Sequence, residues 1–443
     1  MKVMKFGGTS VGSPERIKNV ASLITKSGEP TFVVLSAMSG TTNTLIEIAN
    51  YLYKKNTADA NALINSLECK YIKHIEALYS TNEYKQKTKN FLNEEFNYLR
   101  SFTKDFFTSF EEKCIVAQGE IISTNMAVNY LQEKGVKTIL LPALDFMRTD
   151  KNGDPNTSYI QEKLSVLMNK NKNYQIYISQ GFICRNAYGE IDNLLRGGSD
   201  YTASLIGAAL PADEIDIWTD IDGMHNNDPR VVEKTEAVKQ LNFEEAAELA
   251  YFGAKILHPT CVQPAKYAGI PVRLKNTLEP DAPGTLINNE IEHGKIKAVA
   301  VKDNIIAIKI KSSRMLLATG FLRKVFDIFE SYQTPIDMIT TSEVGVSVTI
   351  DNTTHLDEIE DELKKFGTVT VDHDMCIICV VGDLSWNNVG FETLVLEALQ
   401  DIPVRMISYG GSNYNISFLV NACDKKKALL SLSHKLFYKD KNK

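Results

Sequence analysis

The sequence has 443 residues, of which 44% are hydrophobic and 23% are charged, and its formal net charge is −6. This length exceeds what one hydrophobic core usually organises, so two or three domains are expected. The acidic balance argues against a nucleic-acid-binding protein, and no apolar run approaches the ~20 residues that a membrane-spanning helix needs. The first motif begins at Lys5, which leaves no room for a signal or transit peptide. We therefore expect a cytoplasmic protein without membrane or nucleic-acid partners.

The first predicted element is a short apolar strand at residues 1–4, and the loop that follows it reads KFGGTS at residues 5–10. Two adjacent glycines allow backbone N–H groups to approach phosphate oxygens, and Lys5 adds a positive charge. The spacing matches neither the P-loop nor the G-x-G-x-x-G dinucleotide motif. Because glycine pairs after strands are also common in ordinary turns, this motif alone leaves both a phosphate loop and a simple turn open.

Further apolar runs along residues 1–290 also end in small, polar or charged segments. These segments are SAMSGTTN at 36–43, GF at 181–182, LRGGSD at 195–200, TDIDG at 219–223, DPR at 228–230 and GAKILHP at 253–259. Strands that alternate with helical stretches are typical of a mostly parallel sheet covered on both faces. Residues 56–113 carry no such motif and are predicted to be helical. The packing residues expected there are Phe91, Leu92, Phe96 and Leu99.

In this order the motifs resemble those of the aspartokinase family, and the resemblance covers essentially the whole chain. It implies a three-layer α/β architecture, the amino-acid-kinase fold, for a catalytic domain at residues 1–290. It also implies ATP-dependent phosphorylation of the β-carboxylate of L-aspartate, the first step toward lysine, threonine and methionine. ATP with Mg²⁺ is the implied nucleotide, with no tightly bound prosthetic group and no metal held by protein side chains.

The region after residue 294 contains an internal repeat. Gly320-Phe321 and Pro335-Ile336 are echoed by Gly390-Phe391 and Pro403-Val404. Such internal similarity usually marks duplicated domains. The family resemblance identifies the two copies as ACT domains, which are small βαββαβ modules that bind amino acids.

The second copy of the repeat lacks its last strand. Residues 296–301 form an apolar, strand-like run just before the first copy, and this run could complete the second one. We therefore predict that the first ACT domain, at residues 305–374, is inserted into a second ACT domain made of residues 295–302 and 375–440.

A kinase that joins two anions must act mainly through positioning and positive electrostatic groups. Lys5 is the predicted contact of the β- and γ-phosphates, and Asp200 is predicted to hold a catalytic lysine in line and keep it charged. Capping of a helix near Tyr201 is the alternative role of Asp200. The resemblance implies these nucleotide-binding residues: Lys5, Phe6, Gly7, Gly8, Thr219, Asp220, His225, Arg230 and Lys255.

Two of these nucleotide-binding residues have alternatives. His225 stands where family members commonly place a tyrosine, so its contact with ATP is expected to differ, and an ordinary surface loop is the other interpretation. Arg230, in the sequence DPR, could instead be a surface turn residue. His258 is interpreted as structural, because a carboxylate that is already ionised at pH 7 needs no general base.

Aspartate needs a cation for its α-carboxylate and an acceptor for its ammonium group. Arg196 fits the first because its planar guanidinium binds a carboxylate bidentately. Glu120 fits the second, although a glutamate near a helix start can also serve as a favourable dipole partner. The resemblance completes the aspartate-binding set, which is Thr42, Glu120, Arg196, Gly197, Gly198 and Ser199.

The ACT region resembles that of lysine-inhibited family members. The implied effector-binding residues are Met315, Ala318, Phe321, Leu322, Asp337, Ser342 and Glu343. Asp337 and Glu343 suit the ammonium groups of lysine, while Phe321 and Met315 would cover its methylenes. Ala318 stands where relatives use a serine hydroxyl, so threonine, another effector, a synergistic pair or no effector stay open. Edges of ACT domains commonly pair across a two-fold axis, which predicts a homodimer or a dimer of dimers.

The sequence disfavours two alternatives to an aspartate kinase. A kinase of another small carboxylate is disfavoured by the ACT pair and by the combination of Arg196 and Glu120. A catalytically idle amino-acid sensor is disfavoured because Lys5, Arg196 and Asp200 are all present.

The seven cysteines form no disulfide framework and are expected to be reduced. Cys376 and Cys379 have C-x-x-C spacing inside an apolar run, so they are predicted to be buried thiols and not a zinc or redox site.

Overall fold

The computed structural model describes residues 1–104, 106–194, 197–253, 257–312 and 319–438. The described residues divide into two compact units. The first unit contains residues from 1–224 and 257–289, and the second contains residues from 225–253 and 290–438. Residues 225–253, which the predicted catalytic domain at 1–290 includes, therefore pack with the second unit.

The helices and strands alternate along the first half of the chain and then change to a strand-rich pattern. The strands are β1 Lys2–Phe6, β2 Thr31–Leu35, β3 Thr138–Leu140, β4 Ile176–Gln180, β5 Ile183–Arg185, β6 Ile191–Asn193, β7 Ile215–Thr219, β8 Gln240–Asn242, β9 Val272–Asn276, β10 Thr285–Asn288, β11 Ile296–Lys311, β12 Ile339–Ser342, β13 Gly345–Ile350, β14 Thr368–Gly382, β15 Val404–Tyr409 and β16 Asn415–Asn421. The helices are α1 Pro14–Thr25, α2 Thr41–Tyr53, α3 Thr57–Leu78, α4 Asn82–Ser101, α5 Ser109–Glu133, α6 Ala143–Phe146, α7 Thr157–Lys170, α8 Gly198–Ala209, α9 Phe243–Phe252, α10 Gln263–Ala268, α11 Phe321–Ser331, α12 Leu356–Lys364, α13 Phe391–Ala398 and α14 Lys425–Phe437. None of the helices in the described residues combines the length and apolar composition of a membrane span.

The first unit is built on a mostly parallel sheet, as predicted. Within this unit the strand order is β3-β4-β2-β1-β7-β9-β10, and only the β9–β10 pair is antiparallel. All five residues of β2 and all five of β4 are buried. Strands covered on both faces are buried in this way, and their sequences are nearly continuous apolar runs. The carboxyl ends of β1, β2 and β4 consequently lie side by side.

The predicted helical region at residues 56–113 contains α3, α4 and the start of α5. Leu92, Phe96 and Leu99 of α4 are buried in the core of the first unit, and Phe91 packs against it, as predicted. Amphipathic spacing explains this arrangement, because one face of each helix supplies the apolar side chains.

The second unit contains a six-stranded antiparallel sheet in the order β12-β13-β11-β14-β16-β15. Its two long central strands, β11 and β14, each pass through two hydrophobic cores. One core includes Ile308, Val325 and Ile359, and the other includes Ile378, Val395 and Leu429. The predicted buried thiols Cys376 and Cys379 lie within β14.

The first half of β11 pairs with the second half of β14, from Ile296 opposite Gly382 to Lys302 opposite Ile377. The register shifts between Lys302 and Ile305, close to Asn304 and Asp374, which both have left-handed backbone conformations. The pairing of residues 296–302 beside β14 and β16 is the arrangement that the insertion hypothesis requires. The division into interlocked ACT domains stays a prediction.

Candidate active site

A cavity of about 490 Å³ opens in the first unit where β1, β2 and β4 end. Carboxyl ends of parallel strands are the usual position of ligand sites in α/β sheets. The cavity brings together nine of the predicted site residues, which are Lys5, Gly7, Gly8, Thr42, Glu120, Gly197, Gly198, Ser199 and Asp200.

The loop after β1 packs closely on the loop after β2. An added Cβ at Gly8 would lie 2.8 Å from the Ala37 carbonyl oxygen, so only glycine fits this approach. Ser39 N donates to the Gly8 carbonyl at 3.1 Å, which ties the two loops together. Backbone N–H groups and the Lys5 ammonium group thus meet at the wall of one cavity.

The side chain of Phe6 is part of the core beneath the loop. It is fully buried and stacks on Trp218, with ring centroids 5.7 Å apart. Successive residues of a strand point to opposite faces, so Phe6 and Lys5 face different sides of the sheet. Nucleotide binding by Phe6 stays a prediction, and it would involve the backbone of this residue.

Lys5 and Asp200 form an ion pair, with Lys5 Nζ 2.6 Å from Asp200 Oδ1. Their side chains are only 10% and 13% exposed, so solvent screens the pair less than it would at the surface. The lysine that Asp200 holds is therefore Lys5 itself. The alternative role of Asp200 as a helix cap is wrong, because α8 begins at Gly198 with Gly197 as its N-cap.

Two helices start at this cavity. The N-cap residues of α2 and α8 are Gly40 and Gly197, both in the left-handed conformation that favours glycine, and neither helix has a side-chain cap hydrogen bond. The first N–H groups of a helix have no partner within the helix, and its N-terminus carries partial positive charge. Two such ends beside Lys5 create a setting that favours phosphate and carboxylate groups.

Glu120 lies well inside α5, and its residue surface is 3% exposed. Its Oε1 accepts a hydrogen bond from Ala37 N at 3.2 Å, whereas Oε2 is buried without a hydrogen-bond partner among the described residues. Burial raises the pKa of Glu120 to about 7. The alternative role as a dipole partner at a helix start is wrong, since Glu120 is remote from the start of α5.

Hydroxyl groups line the same cavity. Ser36 Oγ donates to Ser199 Oγ at 2.9 Å, and Ser123 Oγ donates to the Ser36 carbonyl at 2.8 Å. Thr42, in the first turn of α2, also lies at the wall. Lys70 Nζ donates to the Ser39 carbonyl at 3.2 Å. The sequence analysis did not identify Ser123 or Lys70, because both lie on helices far along the chain from the loop that they support.

The remaining nucleotide-binding predictions fall in two places. Thr219 is the last residue of β7 in the first unit and Asp220 follows it, and Thr219 Oγ1 accepts from Ile221 N at 3.1 Å. His225 and Arg230 belong to the second unit. His225 Nδ1 lies 2.8 Å from Thr235 Oγ1, and Arg230 is 83% exposed and bidentate with Asp228 at 2.9 and 2.7 Å. This geometry of Arg230 is that of a surface turn.

Four predicted site residues, Arg196, Lys255, Met315 and Ala318, lie outside the described residues.

Of the described effector candidates, Phe321 is 7% exposed and packs in a hydrophobic core of the second unit, and its contact with an effector stays a prediction. Leu322, Ser342 and Glu343 are exposed.

Asp337 is a buried carboxylate with two unexpected partners. Its Oδ1 lies 2.5 Å from Lys302 Nζ and accepts from Tyr251 Oη at 2.9 Å, while its Oδ2 has no partner in the described part of the chain. Lys302 also lies 3.0 Å from Asp351 and over the Tyr251 ring at 4.8 Å. Burial raises the pKa of Asp337 despite the nearby ammonium group. In the sequence, Lys302 is one lysine after the apolar run at residues 298–301, and this pattern alone does not identify Asp337 as its partner.

Comparison with known proteins agrees with this arrangement. The model of the amino acid kinase family matches residues 1–276, and an ACT domain model matches residues 378–436. Aspartokinase 1, chloroplastic, of Arabidopsis thaliana is 36% identical over 470 residues, which cover 98% of this chain and 80% of that protein.

Two solved structures of Escherichia coli aspartokinase III are similar over almost the whole chain. The complex with lysine and aspartate (T-state) has a TM-score of 0.83 at 32% identity and covers 99% of both chains. The complex with aspartate and ADP (R-state) has a TM-score of 0.80 at 31% identity and covers 99% of this chain and 100% of that one. With these matches added to the cavity at the ends of β1, β2 and β4, the chain belongs to the aspartokinase family.

Proposed function

We propose that this chain transfers the γ-phosphoryl group of ATP to the β-carboxylate of L-aspartate, giving 4-phospho-L-aspartate and ADP. This is the first step of the route to lysine, threonine and methionine. The observation that carries the proposal is the buried Glu120 Oε2, which has no described partner and lines the same cavity as the Lys5–Asp200 pair.

Glu120 recognises the substrate ammonium group. Burial raises the pKa of Glu120 from 4.5 to about 7, which favours its neutral form by roughly 3 kcal/mol relative to a glutamate in water. A positively charged ammonium group at Oε2 would offset that preference and supply the missing hydrogen bond. Thr42 and Ser199 donate hydroxyl hydrogen bonds to the substrate, and Arg196 binds the α-carboxylate in this proposal.

Lys5 stabilises the transferring phosphoryl group. An oxygen of the β-carboxylate attacks the γ-phosphorus, and the bond from that phosphorus to the β,γ-bridging oxygen breaks as ADP leaves. No general base is needed, because the attacking carboxylate is already ionised. Asp200 holds the Lys5 ammonium group in position. Backbone N–H groups at Gly7, Gly8 and the starts of α2 and α8 share the phosphate charge.

MgATP is the nucleotide substrate of this proposal, and the ion would neutralise part of the phosphate charge. Thr219, Asp220, His225, Arg230 and Lys255 are the further nucleotide-binding residues of this proposal. Arg230 would have to exchange its bidentate contact with Asp228 for a contact with ATP.

Feedback regulation by lysine through the ACT region is the second part of the proposal. It is supported by the similarity to a protein solved with lysine and by the buried Asp337, whose Oδ2 has no described partner. Leu322, Ser342 and Glu343 form the exposed part of the effector site, with Met315 and Ala318. Inhibition requires that lysine bind a low-activity conformation more tightly than the active one. The active species is proposed to be a homodimer or a dimer of dimers.

The test is hydroxylamine trapping of the acyl phosphate formed from aspartate and MgATP, with and without lysine. Glu120→Gln should raise the KM for aspartate about 10- to 100-fold, as expected when a charged hydrogen bond is lost. Glu112→Gln is the matched control, because Glu112 lies on the same helix but contacts Tyr53 near the surface. The KM for ATP should change little in both variants.

Folded protein that forms no acyl phosphate would overturn the assignment and leave an idle amino-acid sensor as the better description. An unchanged KM for aspartate in Glu120→Gln would remove Glu120 from the substrate site. If added lysine does not change the rate of acyl phosphate formation, only the regulatory part of the proposal is wrong.

A further inference from the structure

The first unit has a second cavity, of about 500 Å³, on the other side of the sheet from Lys5. Lys2 and Met4 of β1 line it, and they alternate with Val3 and Lys5, which point the opposite way. Neighbouring strands β7 and β9 contribute Asp216, Trp218, Arg273 and Lys275, and the end of α1 and residues 280–283 complete the walls. The proposed function uses none of these side chains.

Two polar atoms in this cavity are buried without a partner. Asp216 Oδ1 and Trp218 Nε1 have no hydrogen-bond partner among the described residues, although their residues are only 2% and 4% exposed. Buried polar groups are nearly always hydrogen-bonded, since leaving one unpaired costs free energy. One atom is an acceptor and the other is a donor, so a single ligand could satisfy both.

The charged groups around these two atoms are mostly engaged with each other. Lys2 and Arg273 each lie 2.9 Å from Glu214, and Lys26 lies 3.3 Å from Asp281. Lys2 Nζ also lies 3.9 Å from Asp216 Oδ2, so Oδ1 is the oxygen of Asp216 that remains for a ligand. Lys275 has no carboxylate within ion-pair distance in the described residues, and its Nζ lies 4.7 Å from the centroid of the Trp218 ring. The cavity thus offers a carboxyl acceptor, an indole donor and an ammonium group.

These three groups select the chemistry of the ligand. Asp216 and Trp218 are two residues apart on one strand, so their side chains leave the same face of the sheet from Cα atoms about 6.6 Å apart. A ligand that joins an ammonium group to a carboxylate through one carbon carries a donor for Asp216 and an acceptor for Trp218 Nε1. A purely anionic ligand would face Asp216, and a purely cationic ligand would face Lys275.

We propose that this cavity binds a small zwitterion of the α-amino-acid class, with its ammonium group on Asp216 and its carboxylate on Trp218 Nε1 and Lys275. The site is separate from the catalytic cavity and from Asp337. Burial raises the pKa of Asp216, and a bound ammonium group would favour its ionised form.

The ligand would contact a residue that supports the phosphate loop. Trp218 stacks on Phe6, and its carbonyl oxygen accepts from Gly7 N at 3.4 Å. Movement of the indole on binding would therefore be transmitted to the loop that carries Lys5, and the KM for ATP is the kinetic constant expected to respond.

The test uses the full-length chain with Trp386→Phe, which leaves Trp218 as the only tryptophan of the two in the sequence. Trp386 is exposed and belongs to the second unit. Glycine, alanine, serine and methionine are titrated without substrates, while the fluorescence of Trp218 and the NMR resonance of its Nε1–H group are followed. Acetate and methylammonium serve as the two half-ligands.

We expect at least one amino acid to give a saturable change with Kd below about 1 mM, and neither half-ligand to do so. Asp216→Asn and Lys275→Met should each weaken this binding at least about 10-fold, the effect of losing one charged hydrogen bond. Both variants keep the shape of the side chain, and circular dichroism establishes that they fold.

Three outcomes would overturn the proposal. These are the absence of any saturable change with the four amino acids, an equal change with acetate alone, or equal binding by the Asp216→Asn and Lys275→Met variants. Kinase activity is measured in parallel, so that failure of this site is distinguished from failure of the proposed reaction.

Discussion

Glu120 and Asp337 are both buried carboxylates predicted to bind an ammonium group, but their surroundings differ. Glu120 has one neutral backbone donor, and its Oε2 has no partner among the described residues. Asp337 is already held by Lys302, a cation that belongs to the same chain. The comparison teaches that a ligand ammonium group would be the first cation at Glu120, whereas at Asp337 it would share the carboxylate with Lys302.

The catalytic side of this comparison depends most strongly on Lys5. Lys5→Ala removes the cation proposed to contact the phosphates, and we expect kcat to fall about 10³-fold, the effect of losing one strong electrostatic contact in a transition state. Lys54→Ala, which removes an exposed lysine at the end of α2, is the control. Steady-state kinetics with a near-normal kcat for Lys5→Ala would assign the phosphates to another cation.

The regulatory side is tested by Lys302→Met, which leaves Asp337 buried without its cation. We expect the free energy of unfolding to fall by about 2–3 kcal/mol, less than for a fully buried pair because the Lys302 side chain is 19% exposed. Added lysine should then raise the melting temperature more than in the parent protein, because its ammonium group would take the place of the Lys302 cation beside the buried Asp337 carboxylate.

Lys295→Met is the matched control for Lys302→Met, since it removes an exposed lysine paired with Glu292. Thermal unfolding of all three proteins with and without lysine decides the matter. The same lysine-dependent shift in Lys302→Met and the parent would show that Asp337 does not meet the effector.

The raised pKa of Glu120 predicts a pH dependence for the catalytic cavity. Below about pH 7 the free enzyme holds Glu120 in its neutral form, so the KM for aspartate should rise by up to about tenfold per pH unit as pH falls. The folded pKa lies above the usual 4.5, so the free energy of unfolding without substrate should decrease as pH rises from 4.5 to about 7. Glu120→Gln should flatten both profiles, and an unchanged slope in that variant would place the titration on another group.

The smallest expected effect concerns the hydroxyl groups of the catalytic cavity. Ser36→Ala removes the donor to Ser199 Oγ, and we expect about 1 kcal/mol of lost substrate binding, or a fivefold higher KM for aspartate. Ser158→Ala, at an exposed position of α7, serves as the control. A KM that stays within experimental error would show that Ser199 keeps its position without Ser36.

The sequence was sufficient to predict the parallel sheet, the helical region at 56–113 and nine residues of the catalytic cavity. Those features follow from local periodicity and from motifs at strand ends, where glycines and charged residues together seldom have a purely structural role. The burial of the Phe6 and Phe321 side chains could not be predicted from the motifs beside them, because only the face of the strand or helix decides whether a side chain enters a core. The partner of Asp337 could not be predicted, since Lys302 meets it through sheet pairing across separate parts of the chain.

The long strands β11 and β14 have a further consequence for how the second unit comes apart. Each strand supplies side chains to both cores, so neither core can lose its strands while the other keeps its own sheet intact. Melting of the repeat pair should therefore be one cooperative event, in contrast to the stepwise loss seen when repeats meet only at their boundaries. If the predicted interlocked ACT domains are the two modules, sharing these strands would give the pair a stability that neither small module would reach alone.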